Sequence, residues 1–258
     1  MISISSAARA FLVSAVLATA TSAGAQQPGA PESGAPESGR PVDLELVLAV
    51  DASSSVSAGE FELQIQGLAQ AFHDPRVLQA IRAAGELGVA VSLVQWSDHR
   101  KQFLAVDWTL VADPDGAGAF ADKVAGTPRF VIGGGTAIGD VLKFAMRLLD
   151  GNDFQGRRQV IDVSGDGRAN QGAEPAGLRD QAVALGITIN GLAILNEDST
   201  VADYYRDQVI GGDGAFIVTA NDYESYAQAI LTKLIREIAG ALVAARPAGR
   251  PGGPPGAG

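Results

Sequence analysis

The sequence predicts an α/β protein with a doubly wound, mostly parallel sheet, one antiparallel edge strand and helices on both faces. Apolar runs of strand length alternate with amphipathic segments along residues 42–245, and this alternation is typical of parallel strands joined by crossover helices. The run Leu44–Val50 is almost continuously apolar, as expected for a strand that is buried on both faces. Since such sheets bind ligands at the carboxyl ends of their strands, the polar residues that follow the strands are the candidates for function.

Local periodicity and turn signals place the individual elements. Ser57 and Glu60 have the spacing of a capping box, which opens a helix with apolar residues at helical intervals. The short polar turn at 97–100 predicts that the strands on either side of it pair antiparallel. We predict strands at Leu44–Val50, Val89–Trp96, Lys101–Leu110, Gln159–Ser164, Ile187–Leu195 and Ala215–Thr219. We predict helices from Ser57 and at Ala119–Val124, Ala137–Leu149, Gly177–Leu185, Val201–Val209 and Tyr223–Ala244.

The composition excludes several classes of function. The 258 residues include no cysteine, so the chain has no disulfide, thiolate zinc site, iron–sulfur cluster or cysteine nucleophile. Its two histidines, His73 and His99, are far apart in the sequence, which disfavours a histidine-rich metal site. The formal net charge is -10, so we expect no nucleic-acid partner, because an acidic chain repels the phosphate backbone. A divalent cation is a more natural partner for such a chain.

The two ends of the chain differ from the middle. Residues 1–25 have the pattern of a signal peptide, with Arg9, an apolar run at 11–20 and small residues before Gln26. An uncleaved anchor is the alternative, but the run is shorter than the ~20 residues that span a bilayer. We therefore expect a periplasmic or secreted protein that has no stable membrane anchor after cleavage near Ala25. Residues 26–41 read as a flexible linker, 42–245 as one domain and 246–258 as a disordered tail rich in proline and glycine.

Three oxygen-bearing side chains follow the first buried strand. Asp51, Ser53 and Ser55 alternate along the chain, and alternate residues of an extended segment point the same way. They can therefore converge on one point at the carboxyl end of that strand. Small polar residues are also common in ordinary turns, so this segment alone does not establish a site.

Two further segments strengthen the case. Gly133, Gly134 and Gly135 precede Thr136 at the start of a predicted helix, where glycines permit close approach of the backbone and threonine offers a hydroxyl. This loop is not a phosphate-binding P-loop, because no lysine follows it. Asp166 comes just after another predicted strand, between two glycines. Each segment could be an ordinary turn, but all three fall at carboxyl-end loops.

The order D-x-S-x-S, Gly-Gly-Thr before a helix and Asp-Gly after a strand resembles the metal-ion-dependent adhesion site of the von Willebrand factor type A domain. Residues 91–97 are similar to the second strand of that family, and the resemblance extends over 43–243. The segment Val-Ser-Gly-Asp-Gly at 163–167, in place of the usual Thr-Asp-Gly, resembles a secreted bacterial von Willebrand A-like family of unassigned function. The resemblance implies a metal site formed by Asp51, Ser53, Ser55, Thr136 and Asp166.

The chemistry of these residues indicates a hard divalent cation. All five donors are oxygen, which suits Mg²⁺ above all, with Mn²⁺ or Ca²⁺ as alternatives, and does not suit zinc. Since only two of the five carry charge, the ion would be under-neutralised and would accept a Glu or Asp carboxylate from a protein partner. The resemblance also implies a switch, in which Thr136 coordinates when ligand is bound and Asp166 does so more directly when it is not. A metal-assisted hydrolase is the alternative, but no general base is evident apart from Asp166, so we expect a binding module and not an enzyme.

Several residues remain open from the sequence alone. Asp162 is an alternative to Asp166 as the fifth ligand, although it lies within a predicted strand. Asp140 is either a support for the metal site or an exposed helix residue. Asp113-Pro114-Asp115-Gly116 is read as a plain turn, because it lacks the later acidic ligands of a calcium loop. For Tyr204 and Tyr205, packing is favoured over contact with a partner.

Overall fold

The computed structural model describes residues 39–240. The predicted signal peptide, most of the predicted linker, the predicted tail and the end of the last predicted helix lie outside the described residues. Within the described part, no helix is long and apolar enough to cross a membrane.

A six-stranded sheet forms the centre of the protein, in the strand order β4-β3-β2-β6-β7-β8. All neighbouring pairs are parallel except β3 and β4, which pair antiparallel at one edge. The predicted fold class is therefore confirmed. The strands are β2 (Leu44–Asp51), β3 (Val89–Trp96), β4 (Gln102–Val111), β6 (Gln159–Gly165), β7 (Thr188–Ile194) and β8 (Ile217–Ala220).

A second, two-stranded parallel sheet joins β1 (Arg40–Val42) to β5 (Phe154–Gly156). Arg40 and Pro41 belong to the predicted linker, yet they pair with residues that precede β6. The strands are only three residues long, and such short segments carry little periodicity to reveal them in the sequence.

Helices cover both faces of the central sheet because β2 alternates its side chains between two cores. The helices are α1 (Ala58–His73), α2 (Pro75–Ala84), α3 (Pro114–Ala125), α4 (Ile138–Asp150), α5 (Pro175–Ala184), α6 (Val201–Tyr204) and α7 (Tyr226–Ala239), and a π-helical turn at Tyr205–Val209 follows α6. Leu46 and Leu48 point into the core beneath α1, α2, α3 and α7, whereas Val47 and Ala49 point into the core beneath α4, α5 and α6.

Strand β2 lies at the switch point of the sheet. Its neighbours are β3 on one side and β6 on the other, and the chain winds outward from β2 in both directions. In doubly wound sheets, the crevice at such a point is where ligands bind. The loop after β2, which contains Asp51, Ser53 and Ser55, opens into this crevice.

The structure corrects the interpretation of residues 113–116 as a plain turn. Asp113 is the N-cap of α3, and its side chain accepts a hydrogen bond of 2.8 Å from the Gly116 backbone N–H. Pro114 occupies the first turn, where its missing N–H costs nothing. The motif therefore starts a helix that is longer than the predicted Ala119–Val124.

Two other helices differ from the sequence analysis. Helix α2 was not predicted; Asp74 caps it and Pro75 begins it. The last helix begins at Tyr226 and not at Tyr223, so Tyr223 lies in the loop between β8 and α7. That difference matters for the site described next.

Candidate metal site

Asp51 ends β2 and organises the loop that follows it. Its Oδ1 accepts a hydrogen bond of 2.8 Å from the Ser53 backbone N–H, a local turn that aspartate favours. Both residues are buried. The turn leads to Ser57, which caps α1 through the predicted capping box with Glu60. The loop is therefore fixed at its start by Asp51 and at its end by the helix.

Hydroxyls connect this loop to the loop after β6. The Ser53 and Ser55 Oγ atoms are 3.1 Å apart, and Ser55 Oγ donates a hydrogen bond of 2.9 Å to Asp166 Oδ1. The other oxygen of Asp166 accepts a hydrogen bond of 3.0 Å from the hydroxyl of Tyr223. Four of the five predicted site residues thus form one continuous chain of contacts across two strands.

Thr136 lies beside the same cluster. A Cβ added to Gly167 would be 3.7 Å from the Thr136 Oγ1, so the threonine hydroxyl faces the residue after Asp166. The Thr136 backbone N–H donates to Asn170 Oδ1 at 2.9 Å, and the Asn170 N–H donates to the Thr136 carbonyl oxygen at 3.0 Å. These bonds hold the threonine, which is buried, against the loop after β6.

The glycines before Thr136 bring that loop against the serines. Gly133 and Gly134 have φ angles of 62° and 106°, which glycine adopts at no steric cost. The Gly134 N–H donates to Ser54 Oγ at 2.9 Å, and the Ser54 N–H donates to the Gly134 carbonyl oxygen at 2.9 Å. The three segments singled out in the sequence therefore meet at one place, although only two of them follow strands; the glycine loop joins α3 to α4 and does not lie at the carboxyl end of a strand.

The electrostatics of the cluster favour an added positive charge. Burial and, to a smaller extent, repulsion from Asp166 together raise the pKa of Asp51 to about 7, although hydrogen bonds from Ser53 oppose both effects. Asp51 Oδ2 is buried without a hydrogen-bond partner. Among residues 39–240, neither Asp51 nor Asp166 forms an ion pair. An orphaned buried carboxylate oxygen costs free energy unless something binds to it.

Gly165 explains why the second aspartate can approach the first strand so closely. A Cβ at this position would lie 2.9 Å from Asp51 Oδ2 and 2.8 Å from the Tyr205 hydroxyl oxygen, closer than real Cβ contacts. The Tyr205 hydroxyl is also buried without a partner, and burial raises the pKa of that hydroxyl well above its ordinary value. Gly165 therefore leaves room beside two unsatisfied oxygen atoms.

These donors fit a hard divalent cation. The set consists of two carboxylates and three hydroxyls, and oxygen donors of this kind suit Mg²⁺, Mn²⁺ or Ca²⁺. Within residues 39–240, no group of three or more His, Cys, Asp or Glu residues could hold a metal. A cation bound here would thus depend on the hydroxyls as well as the carboxylates, and it would keep part of its charge.

The structure separates the two aspartates that the sequence left as alternatives. Asp166 contacts Ser55, whereas Asp162 lies 2.6 Å from the Lys233 Nζ, within β6 and under α7. Asp140 is in the first turn of α4 and accepts a hydrogen bond of 2.9 Å from the Ala173 N–H. It braces the loop that follows Asp166, and within residues 39–240 its side chain forms no hydrogen bond with the five site residues.

Two residues of the site escaped the sequence analysis. The sequence predicts that Tyr223 begins the last helix, and no sequence motif marks Arg129. The Arg129 guanidinium donates to the carbonyl oxygens of Ala52 and Ser53 at 2.8 and 3.1 Å. Tyr205 is fully buried, in agreement with the preference for packing, but its hydroxyl also faces Gly165. No local signal could have shown these contacts, because each joins residues that are distant in sequence.

Solved structures with the same fold come from several sources. Proximal thread matrix protein 1 from the mussel byssus, with a zinc-occupied MIDAS motif, is 16% identical at a TM-score of 0.52, over 75% of this chain and 45% of that chain. A von Willebrand factor type A protein from Catenulispora acidiphila is 16% identical at a TM-score of 0.52, over 76% of this chain and 43% of that chain. The SpRpn10 VWA domain is 16% identical at a TM-score of 0.50, over 73% of this chain and 94% of that chain.

These likenesses identify the fold as that of a von Willebrand factor type A domain, and the resemblance inferred from sequence is confirmed at that level. This chain spans less than half the length of the first two proteins. A search of curated proteins found no match. Residues 41–242 match the family described as protein of unknown function (DUF1194), and the chain belongs to that family.

Proposed function

We propose that this protein is an exported binding module that captures an acidic side chain of a protein partner through a divalent cation held at the candidate metal site. The observation that carries the proposal is the pair of buried aspartates, Asp51 and Asp166. The Ser53 backbone N–H and the Ser53 and Ser55 hydroxyls link them, and no cation of residues 39–240 forms an ion pair with either. The von Willebrand A fold, and the metal-occupied MIDAS motif of the mussel protein, support the same conclusion.

The cation would be held by Asp51, Ser53, Ser55, Thr136 and Asp166, with Mg²⁺ as the expected ion. When bound, it would supply a Lewis-acidic centre of residual positive charge. The chain contributes only two negative charges to it, so a carboxylate from outside is the natural further ligand. The exposed Ser55 and the half-buried loop at 133–135 leave the cluster open to such a partner.

A metal-assisted hydrolase is a weaker use of the same residues. A hydrolase needs a general base beside the attacking water. Asp166 is the only extra carboxylate in the cluster, and both of its oxygens already accept hydrogen bonds, from Ser55 and Tyr223. The arrangement therefore supports binding over hydrolysis.

The site of action follows from the signal peptide proposed for residues 1–25. We propose export to the periplasm or beyond, with a short flexible linker before the domain. Asp51 and the hydroxyls suit such a compartment, because none of these donors can be oxidised to a disulfide or lost to thiol chemistry.

The decisive experiment is a melting-temperature titration with Mg²⁺ and Mn²⁺. Both ions should raise the Tm of the wild-type protein and leave that of Asp51→Asn unchanged, because a ligand that binds only the folded state stabilises it. Asp115→Asn, which alters an exposed aspartate in the first turn of α3, is the matched control and should respond like the wild type. An equal response of Asp51→Asn would contradict the proposal.

A further inference from the structure

Three large apolar side chains stand exposed on β4 and on the loop that leads to Thr136. Phe103, Phe130 and Ile132 are 43%, 49% and 72% exposed. They make up half of the large apolar side chains that are exposed within residues 39–240; the other three are Leu63, Val183 and Leu185. We refer to Phe103, Phe130 and Ile132 as the apolar rim. Such a cluster beside a binding site is typical of an interaction surface.

The first two residues of the rim are held in place by the sheet. Phe103 lies opposite Gln95 in the antiparallel pair of β3 and β4. The buried Gln95 side chain accepts a hydrogen bond of 2.7 Å from the Phe130 N–H and donates one of 2.8 Å to the Pro128 carbonyl oxygen. This places the Phe130 ring 4.3 Å from the Phe103 ring, between centroids. The two rings thus form one surface.

Ile132 projects from a loop that is also fixed. Its carbonyl oxygen accepts a hydrogen bond of 3.2 Å from the Lys101 Nζ. The next carbonyl oxygen, that of Gly133, accepts one of 2.8 Å from Ser97 Oγ. Ile132 is therefore presented to solvent by a loop that is anchored on both sides, and an exposed side chain on an anchored loop loses little conformational freedom on binding.

The rim is continuous with the candidate metal site. The loop that bears Phe130 and Ile132 is tied to the serine loop at two places, through Arg129 to the Ser53 carbonyl oxygen and through Gly134 to Ser54. Ser54 lies between two of the proposed ligands. A partner segment that binds the cation therefore lies next to the loop that bears Phe130 and Ile132.

The charge around the rim selects the same kind of partner. Arg100, Lys101 and Arg129 lie in or beside the two loops that form it. Lys101 forms an ion pair of 3.2 Å with Asp98, whereas Arg100 and Arg129 form none within residues 39–240. The chain as a whole has a net charge of -10, so this basic group stands out. It attracts an acidic segment and repels a basic one.

We infer that the apolar rim recognises a bulky apolar side chain close in sequence to the acidic residue that the cation captures. The partner is thus a protein segment with an aspartate or glutamate and, a few positions away, an aromatic or branched aliphatic residue. This inference rests on the proposed function, and it adds the feature that separates one acidic partner from another. The cation binds the acidic side chain of the partner, and the rim selects among acidic partners by their neighbouring apolar side chain.

The test uses labelled peptides with one central glutamate. One peptide has alanine at every other position; the others have a single phenylalanine at one of the three positions before or after the glutamate. Fluorescence anisotropy in Mg²⁺ should show at least one phenylalanine peptide binding about tenfold more tightly than the alanine peptide, a ratio that corresponds to about 1.4 kcal/mol. Phe130→Ser and Ile132→Ser should remove that preference.

Controls separate this inference from the proposed function. Leu185→Ser, at an exposed position after α5, should keep the preference, and the rim variants should keep the rise in Tm with Mg²⁺. Equal affinity for all peptides together with an intact Mg²⁺ response would overturn the inference alone. No binding of any glutamate peptide would overturn both the inference and the capture of an acidic side chain. Loss of the Mg²⁺ response in the wild type would overturn the proposed function. Self-association of the wild type that Ile132→Ser abolishes would assign the rim to a second copy of this chain and overturn the inference.

Discussion

Two pairs of buried carboxyl groups lie against the central strands β2 and β6, and the described residues supply a paired cation to only one of them. Asp162 and Glu237 share the ammonium of Lys233, which lies 2.6 Å from Asp162 Oδ2 and 3.1 Å from Glu237 Oε1. Within residues 39–240, the hydrogen bonds to Asp51 and Asp166 come from hydroxyl and backbone N–H groups alone. The first pair is closed by the protein itself, whereas the second is open to a cation from solution.

The closed pair is part of an internal network centred on the Lys233 ammonium, although Asp162 Oδ1 and Glu237 Oε2 are buried without a hydrogen-bond partner. Asn190 donates from its side chain to Glu237 Oε1 at 2.8 Å and accepts from the Phe216 N–H at 3.0 Å. Lys233 is fully buried. Desolvation raises the pKa of Asp162 above its ordinary value, and repulsion from Glu237 adds to this, while Lys233 lowers it. The network joins β6, β7 and α7, and we assign it a structural role.

The comparison shows how the same chemistry gives stability in one place and a candidate site in the other. A buried carboxylate is costly unless it is paired. At Asp162 this cost is offset by Lys233, seventy-one positions along the chain. At Asp51 and Asp166 no cation of residues 39–240 offsets it. The crevice at the switch point of the sheet is open to solvent ligands, and the position under α7 is not.

Removal of Lys233 should have the largest effect. Lys233→Met leaves Asp162 and Glu237 without their cation, and breaking a buried ion pair from one side costs about 3–5 kcal/mol of folding free energy. Urea unfolding above pH 8, where the Asp162 carboxyl is ionised, would measure the loss. Lys143→Met, on the exposed face of α4, should change stability little. A loss equal to that of the control would mean that the pair is not closed by Lys233.

Mg²⁺ should stabilise only through the open pair. At a hundredfold excess over the Kd, a bound ion adds about 2.7 kcal/mol to the free energy of unfolding, and Asp51→Asn should abolish this gain. Asp162→Asn should retain it, since Asp162 is engaged by Lys233. Urea unfolding with and without Mg²⁺ measures both. A gain that disappears in Asp162→Asn and persists in Asp51→Asn would exchange the roles of the two pairs.

The closed pair should also be visible in the pH dependence of stability. The pKa of Asp162 rises from 3.8 to about 8 on folding, so the folded protein keeps a proton that the unfolded chain releases. Its contribution to stability is therefore complete below pH 4 and is lost as the pH rises towards 8, by up to about 1.4 kcal/mol per pH unit. Asp162→Asn in EDTA should flatten the curve of unfolding free energy against pH. Parallel curves for variant and wild type would refute this.

Tyr223 should give the smallest effect. Tyr223→Phe removes the hydrogen bond to Asp166 Oδ2, which should cost about 1 kcal/mol of stability in EDTA. If a cation takes over that oxygen, the cost should shrink when Mg²⁺ is present. Unfolding measured in both conditions would show it; an identical loss in each would mean that Asp166 does not turn towards the ion.

Much of the fold and the site could be predicted from the sequence. The capping box at Ser57, the strand Val89–Trp96 and the antiparallel edge were all marked by local patterns that the structure confirms. The five proposed ligands stand at the carboxyl end of a strand or in a glycine loop, and the resemblance to the von Willebrand factor type A site joins them into one set, which stays a prediction. Helix α2 and the start of α3 were not recognised, although Asp-Pro marks both N-termini.

What the sequence by itself determined is the alternation that makes a doubly wound sheet and the order of oxygen donors after its strands. These depend on periodicity and spacing, which are local. Only the tertiary structure decided that Asp162 pairs with Lys233 while Asp166 meets Ser55, that Tyr223 reaches the site, and that Phe103 and Phe130 stand together beside it. The reason is physical: a buried charge is stabilised by whatever residue the fold brings to it, however distant in the chain.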